Sequence, residues 1–359
     1  MTRPARARID LSALQHNLSL AKQAAPGSRI MAVVKANGYG HGLLPVAQAL
    51  AAADAFAVAS LEEALVLREA GISKPVVLLE GVFSQAEWPV VSQFQLQAVI
   101  HHELQIDWLE QTSASHRLSV WLKVDTGMHR LGIAPQCALT CYQRLATIPA
   151  VAGEPGWMSH LACADEPERP ETGQQINRFA ALVQGQPGER SLANSAALLT
   201  RSDSHYDWVR PGIMLYGSSP LANHVACPVT LSPVMTLSTA LIAVHRRQRG
   251  EAVGYGGDYL CQRDMRIGVA AMGYGDGYPR HAPTGTPVLV NGQRCQLLGR
   301  VSMDMITIDL TEQPDARPGD PVVLWGEGLC VDEIAEQAGT IGYELLCNVT
   351  PRVPREYVE

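Results

Sequence analysis

Residues 30–42 read IMAVVKANGYGHG. An apolar run passes straight into Lys35, and a glycine-rich segment carrying Asn37, Tyr39 and His41 follows. A short, unbroken apolar run is the pattern of a strand buried on both faces, as in a parallel sheet. A charged side chain at its end is what a barrel strand offers at its C-terminal face, where barrel enzymes build their sites. A partly desolvated lysine there can form a Schiff base, and small residues after it let a flat ligand approach the backbone. Taken alone, the same lysine also reads as a surface side chain passing a strand end.

Outward from this stretch the pattern repeats. AFAVAS, PVVLLE, LQAVI, SVWLKVD and GWMSHLA read as strands, and LLPVAQALAAA, LEEALVLREAG, ELQIDWLEQ and PQCALTCYQRLA between them read as helices. The strand-to-strand period of roughly 20–35 residues is that of βα units, and about eight units fit before residue 230. The fold predicted is α/β, an N-terminal (β/α)8 barrel over residues 1–230, with a doubly wound open sheet as the competing architecture. After residue 230 short strands bounded by Gly, Pro, Asn and Asp dominate, with one helix at VDEIAEQAG. Residues 231–359 therefore read as a mainly β C-terminal domain.

The 359 residues carry a formal net charge of -7 and no block rich in lysine or arginine, which argues against nucleic acid as a partner. No stretch is apolar for long enough to span a bilayer. The basic start is not followed by an apolar run of signal-peptide length, so a cytoplasmic protein is expected. The 8 cysteines are scattered, and Cys137 and Cys141 lack a second pair to complete a metal site, so no metal is expected. The glycine-rich segments GYGGDY (254–259) and GYGDGY (273–278) lack the spacing of a nucleotide-binding loop.

The stretch AVVKANGYGHG (32–42) resembles the cofactor-lysine segment of the alanine racemases, barrel enzymes that use pyridoxal 5′-phosphate (PLP). WLKVDTGMHRLG (121–132), SH (159–160), ANSAA (193–197), WVRPGIMLYG (208–217), GYGGDY, AMGYGDGYPR (271–280), GRVSMDM (299–305) and GYELL (342–346) resemble further family segments in the family's order. The likeness runs from ARIDLSALQHN to the closing RVPREYV.

The resemblance implies a racemisation in which PLP acts as an electron sink and two acid/base groups work on opposite faces of the substrate carbon. It assigns these to Lys35 and Tyr255. An ordinary phenol, titrating near 10, is a poor base, so Tyr255 needs a neighbouring cation or hydrogen bond, and His160 is one candidate. Arg210 corresponds to the partner of the pyridine nitrogen, and an arginine there withholds its proton from the ring. Ser195, the N–H groups of Gly212 and Ile213, and Tyr343 correspond to the phosphate-binding positions, with Tyr39 also at the cofactor. Arg130 and the backbone of Met303 would serve the substrate carboxylate, and His160 resembles the histidine stacked on the ring. Lys123 stands where the family often carries a carbamylated lysine. Tyr274 and Tyr343 would form a narrow entrance.

The function expected is interconversion of L- and D-alanine, for cell-wall supply or for D-alanine catabolism, by a homodimer whose sites are shared between subunits. Two alternatives stand beside it: a racemase of the same fold with broader substrates such as serine, and a non-catalytic PLP-binding barrel protein. A β domain carrying Tyr255 and Met303 argues for catalysis over the second.

Overall fold

The computed structural model describes residues 3–113 and 116–359. Eight parallel strands close into a barrel: β2 (Arg29–Val33), β3 (Ala55–Val58), β4 (Val76–Leu78), β5 (Gln97–Ile100), β6 (Val120–Lys123), β7 (Gly156–Met158), β8 (Arg190–Asn194) and β9 (Trp208–Arg210). Closure comes from β2 against β9, with Ile30 opposite Val209. The strands AFAV of β3 and VVL of β4 are buried throughout, as a barrel with helices outside and side chains inside demands. The helices around them bury one stripe each. Pro135–Thr147 turns Ala138, Cys141, Tyr142 and Leu145 inward, the spacing of a single helical face.

A second, antiparallel sheet follows. Its strands are β10 (Met235–Arg247), β13 (Met265–Ala270), β14 (Pro287–Val290), β15 (Gln293–Leu298), β16 (Ile306–Asp309) and β17 (Pro321–Trp325), and β18 (Arg355–Val358) joins it parallel to the chain's first strand. A small hairpin of β11 (Ala252–Val253) and β12 (Tyr259–Leu260) projects between β10 and β13. Two helices lie here, Val331–Gln337 and Gly342–Cys347, where one was expected. The second is too short to declare a helical period in the sequence.

One boundary needs correction. The first strand, β1 (Arg6–Asp10), falls within residues 1–230 yet does not enter the barrel; it lies between β10 and β18 in the second sheet. Its alternate residues Ala7 and Ile9 are fully buried, a period of two that suits a half-covered sheet and not a barrel strand. The chain then enters the barrel through the helix Leu11–Ala24, capped by Asp10, whose carboxylate accepts the Ala13 N–H at 2.9 Å. Among the described residues no helix is long and apolar enough to cross a membrane.

Candidate active site

The C-terminal ends of the barrel strands converge on a cavity of about 640 Å³. Lys35 follows β2, Glu80 follows β4, Lys123 ends β6, His160 follows β7, Ser195 follows β8, and Arg210 ends β9 just ahead of Gly212 and Ile213. Tyr39, Arg130 and Tyr343 also line the cavity. Arg130 is carried on the loop after β6, where one oxygen of Asp125 accepts the N–H groups of Gly127, Met128 and His129 at 2.9, 3.0 and 3.0 Å. That carboxylate stands in for the backbone partners a loop lacks.

Arg210 is the best-anchored of these groups. Nη1 donates to Ser191 Oγ at 2.7 Å, and Nη2 donates to the Ser159 carbonyl at 2.6 Å and to Nδ1 of His160 at 3.2 Å. Burial pulls its guanidinium down to about 10, which leaves it cationic at neutral pH. His160 is pushed the other way from a cation: burial, then Arg210 and Lys123, hold its imidazole well below its ordinary value. Of the two aids considered for Tyr255, a neighbouring cation or a hydrogen bond, His160 in this state cannot supply the cation. A ring that accepts from a guanidinium is neutral, with its proton on the other nitrogen. Lys123 is lowered to about 8, by burial first and then by Arg210, Arg130 and Lys35.

In the same cavity, Ser195 Oγ accepts the Gly212 N–H at 2.8 Å. Ser195 and Ile213 each open a helical turn, so their own N–H groups have no acceptor within it. A Cβ on Gly212 would stand 2.5 Å from the Tyr39 hydroxyl, so only glycine admits both. Tyr39 stacks on Tyr216 at 4.6 Å between ring centroids and lies 6.1 Å from the Tyr343 ring.

Four cations thus face one cavity, and Glu80 is the one carboxylate among its described lining residues. Sequence reasoning passed over Glu80 and Cys347. The signal for Glu80 was present, since PVVLLE ends an apolar run on a charge just as the run before Lys35 does; Cys347 has no comparable mark.

Tyr255, Tyr274 and Met303 are not among this cavity's lining residues. They are exposed on the second domain, Tyr255 at 69% and Met303 at 52%. Tyr274 and Met303 sit on touching loops, where the Tyr274 N–H donates to Ser302 O at 3.1 Å and the Gly275 N–H to Met303 O at 2.9 Å. The hairpin that bears Tyr255 is tied to the same region by the ion pair of Asp258 with Arg300. An exposed tyrosine and methionine on adjoining loops make a surface that a lone chain leaves uncovered.

A closed barrel with a lysine and an arginine-anchored histidine at its mouth, joined to a separate sheet domain, is the architecture of a barrel-type amino-acid racemase. Family models for "Alanine racemase, N-terminal domain" and "Alanine racemase, C-terminal domain" match residues 9–220 and 234–357. The chain is 59% identical over 360 residues to the alanine racemase of Thioalkalivibrio sulfidiphilus, covering 100% of both. It is 50% identical over 352 residues to the biosynthetic alanine racemase of Escherichia coli, covering 98% of each. The crystal structure of the biosynthetic alanine racemase from Pseudomonas aeruginosa superposes with a TM-score of 0.97 at 50% identity, over 100% of both chains. The chain belongs to the alanine racemase family.

Proposed function

We propose that the racemase reaction of this chain, the interconversion of L-alanine and D-alanine, runs on PLP with Lys35 and Tyr255 as its two acid/base groups. The observation that carries this reading is the convergence of Lys35, Lys123, Arg130 and Arg210 on one cavity that the bonded pair Ser195 and Gly212 also lines. Such a donor set fits a ligand bearing a phosphate together with one bearing a carboxylate.

When bound, PLP supplies an electron-withdrawing ring that acidifies the Cα–H of an amino acid joined to its aldehyde carbon. Ser195 Oγ, the N–H groups of Gly212 and Ile213, and the phenols of Tyr39 and Tyr343 would hold its phosphate. Arg210 would serve the pyridine nitrogen and, as a cation that keeps its proton, would moderate the pull of the ring and limit side reactions. His160 would contribute a neutral ring beside it. Arg130 and the Met303 N–H hold the substrate carboxylate. Lys123, with an amine lowered to about 8, has a free-base share that adds to CO2 with loss of a proton, and the carbamate so formed pairs with Arg130. Lys35 moves the proton on one face of the substrate carbon and Tyr255 moves it on the other.

Tyr255 reaches the site from a second copy of the chain. The exposed loops of Tyr255, Tyr274 and Met303 cover the partner's barrel mouth in a head-to-tail homodimer, and Tyr274 with Tyr343 narrows its entrance. Residues 1–230, apart from β1, supply most of the cofactor site, with Tyr343 added from residues 231–359, whose exposed loops close the partner's site. The enzyme works in the cytoplasm, and of the two roles open to it, D-alanine catabolism and supply of D-alanine for cell-wall precursors, the description of two relatives as biosynthetic favours the second.

Turnover of L-alanine, measured beside serine and a panel of other amino acids with PLP present, tests the reading together with Lys35→Ala. Fast racemisation of alanine, a visible cofactor absorbance and the loss of both in Lys35→Ala are expected. Serine turned over as fast as alanine would move the assignment to a broad-specificity racemase. Cofactor binding without turnover would make the chain a PLP carrier.

A further inference from the structure

The segment after Lys35 is left-handed. Ala36, Asn37, Gly38, Tyr39 and Gly40 follow one another with φ of 54°, 54°, 61°, 50° and 81°. Residues with a Cβ disfavour this conformation, and it persists only where the surroundings over-determine it. The carbonyls of the turn show what those surroundings are.

Part of the restraint is local. The Gly42 N–H donates to Asn37 O at 2.9 Å, and His41 Nδ1 lies 3.1 Å from Gly38 O and 2.8 Å from Tyr39 O. The next two carbonyls are taken by the far end of the chain. Arg355 Nε donates to Gly40 O at 2.6 Å, and the Tyr357 hydroxyl donates to His41 O at 3.0 Å. Arg355 Nη2 also donates to Val349 O at 2.9 Å, which fixes the guanidinium while it holds the turn. The fit leaves no space: a Cβ on Gly40 would lie 2.1 Å from Leu346 O, and one on Gly42 would lie 2.1 Å from the Tyr357 hydroxyl. Tyr39, inside the gripped segment, is the residue whose hydroxyl abuts Gly212.

We propose that Arg355 and Tyr357 are positioning residues of the active site. By holding the carbonyls of Gly40 and His41 they lock the left-handed turn, and through it they set Lys35 and Tyr39 against the cofactor pocket. The proposal rests on the PLP reading of that pocket. Neither side chain touches substrate or cofactor; both act through the backbone they hold.

The test uses purified holoenzyme and follows the rate of PLP loss by visible absorbance, with the fraction of PLP fixed to the chain by borohydride as a second readout. Tyr357→Phe removes one hydroxyl and keeps the ring. It is expected to release PLP about 3- to 10-fold faster, the effect of one lost hydrogen bond. Arg355→Met, losing both donors, is expected to release it faster still, and Arg355→Lys to fall between Met and wild type. Glu356→Gln is the control: it sits on the same strand and breaks only the exposed pair with Arg6, so PLP release is expected to match wild type. Wild-type release from both Tyr357→Phe and Arg355→Met overturns the proposal, and so does equal acceleration by Glu356→Gln. Should Arg355→Met fail to fold, Tyr357→Phe decides alone. A wild-type chain that takes up no PLP overturns the cofactor reading along with this one, and the wild-type spectrum tells that failure from the first.

Discussion

Nη2 of Arg210 stands 3.2 Å from Nδ1 of His160, and the pair resolves into one cation and one neutral ring. With Ser159 O and Ser191 Oγ as its other acceptors, the guanidinium is fixed at the end of β9 and stays charged. Arg210→Glu replaces a proton-withholding partner with one that favours a protonated ring. Racemisation should fall, while pyruvate formed from alanine by transamination should rise well above wild type. A folded variant with wild-type pyruvate formation would mean that Arg210 does not face the ring nitrogen.

Tyr255→Phe keeps the exposed ring and removes the hydroxyl proposed as an acid/base group. The family resemblance puts the phenol on the L face and Lys35 on the D face. Exchange of the Cα proton with deuterated solvent should therefore slow by orders of magnitude from L-alanine and much less from D-alanine, an asymmetry that only a group on one face produces. Equal losses from the two enantiomers would point to a single base.

Lys35→Ala and Tyr255→Ala chains should each be nearly inactive by themselves. After subunit exchange, random pairing makes about half the dimers mixed, each with one intact site, so activity should return to roughly a quarter of wild type per chain. Heterodimers shown to be present yet inactive would place both groups in one chain.

His41 gives a dependence on pH with a definite sign. Burial holds it down to about 4 in the folded chain, against 6.5 when unperturbed. Between those values the unfolded chain binds the extra proton, so the contribution is fully present above pH 6.5 and is lost as the pH falls towards 4. The loss amounts to about 3 kcal/mol for this one group. Urea unfolding at pH 7 and 4.5 should show a smaller difference in His41→Asn than in wild type. Identical differences would mean that His41 does not stay neutral in the folded chain.

Much of this was legible in the chain and some was not, for physical reasons. Lys35 announces itself because a charge seldom ends a buried apolar run, and the βα period announces the barrel because each crossover demands similar length. The left-handed turn leaves no such trace. Ala36 favours the right-handed region, and the turn it opens is met at Gly40 and His41 by Arg355 and Tyr357, contacts from the far end of the chain that local pattern cannot foresee. β1 was read into the barrel because a five-residue strand carries no mark of its neighbours. Whether His160 could serve as a cation or only as a hydrogen-bonding group stays open in the sequence, because protonation depends on neighbours and depth, and a sequence holds neither.

The placement of β1 also orders the making of the molecule. Along the chain it precedes every barrel strand, yet its partners in the sheet are β10 and β18, and Arg6 pairs with Glu356 across 350 positions. The barrel strands find neighbours one after another as they emerge. β1 has a free edge until β18 is made, and an unpaired edge is a template for joining other chains. A chain cut before β18 would therefore lose Arg355 and Tyr357 from the turn after Lys35 and leave that edge open, so it should aggregate as well as lose its hold on that turn.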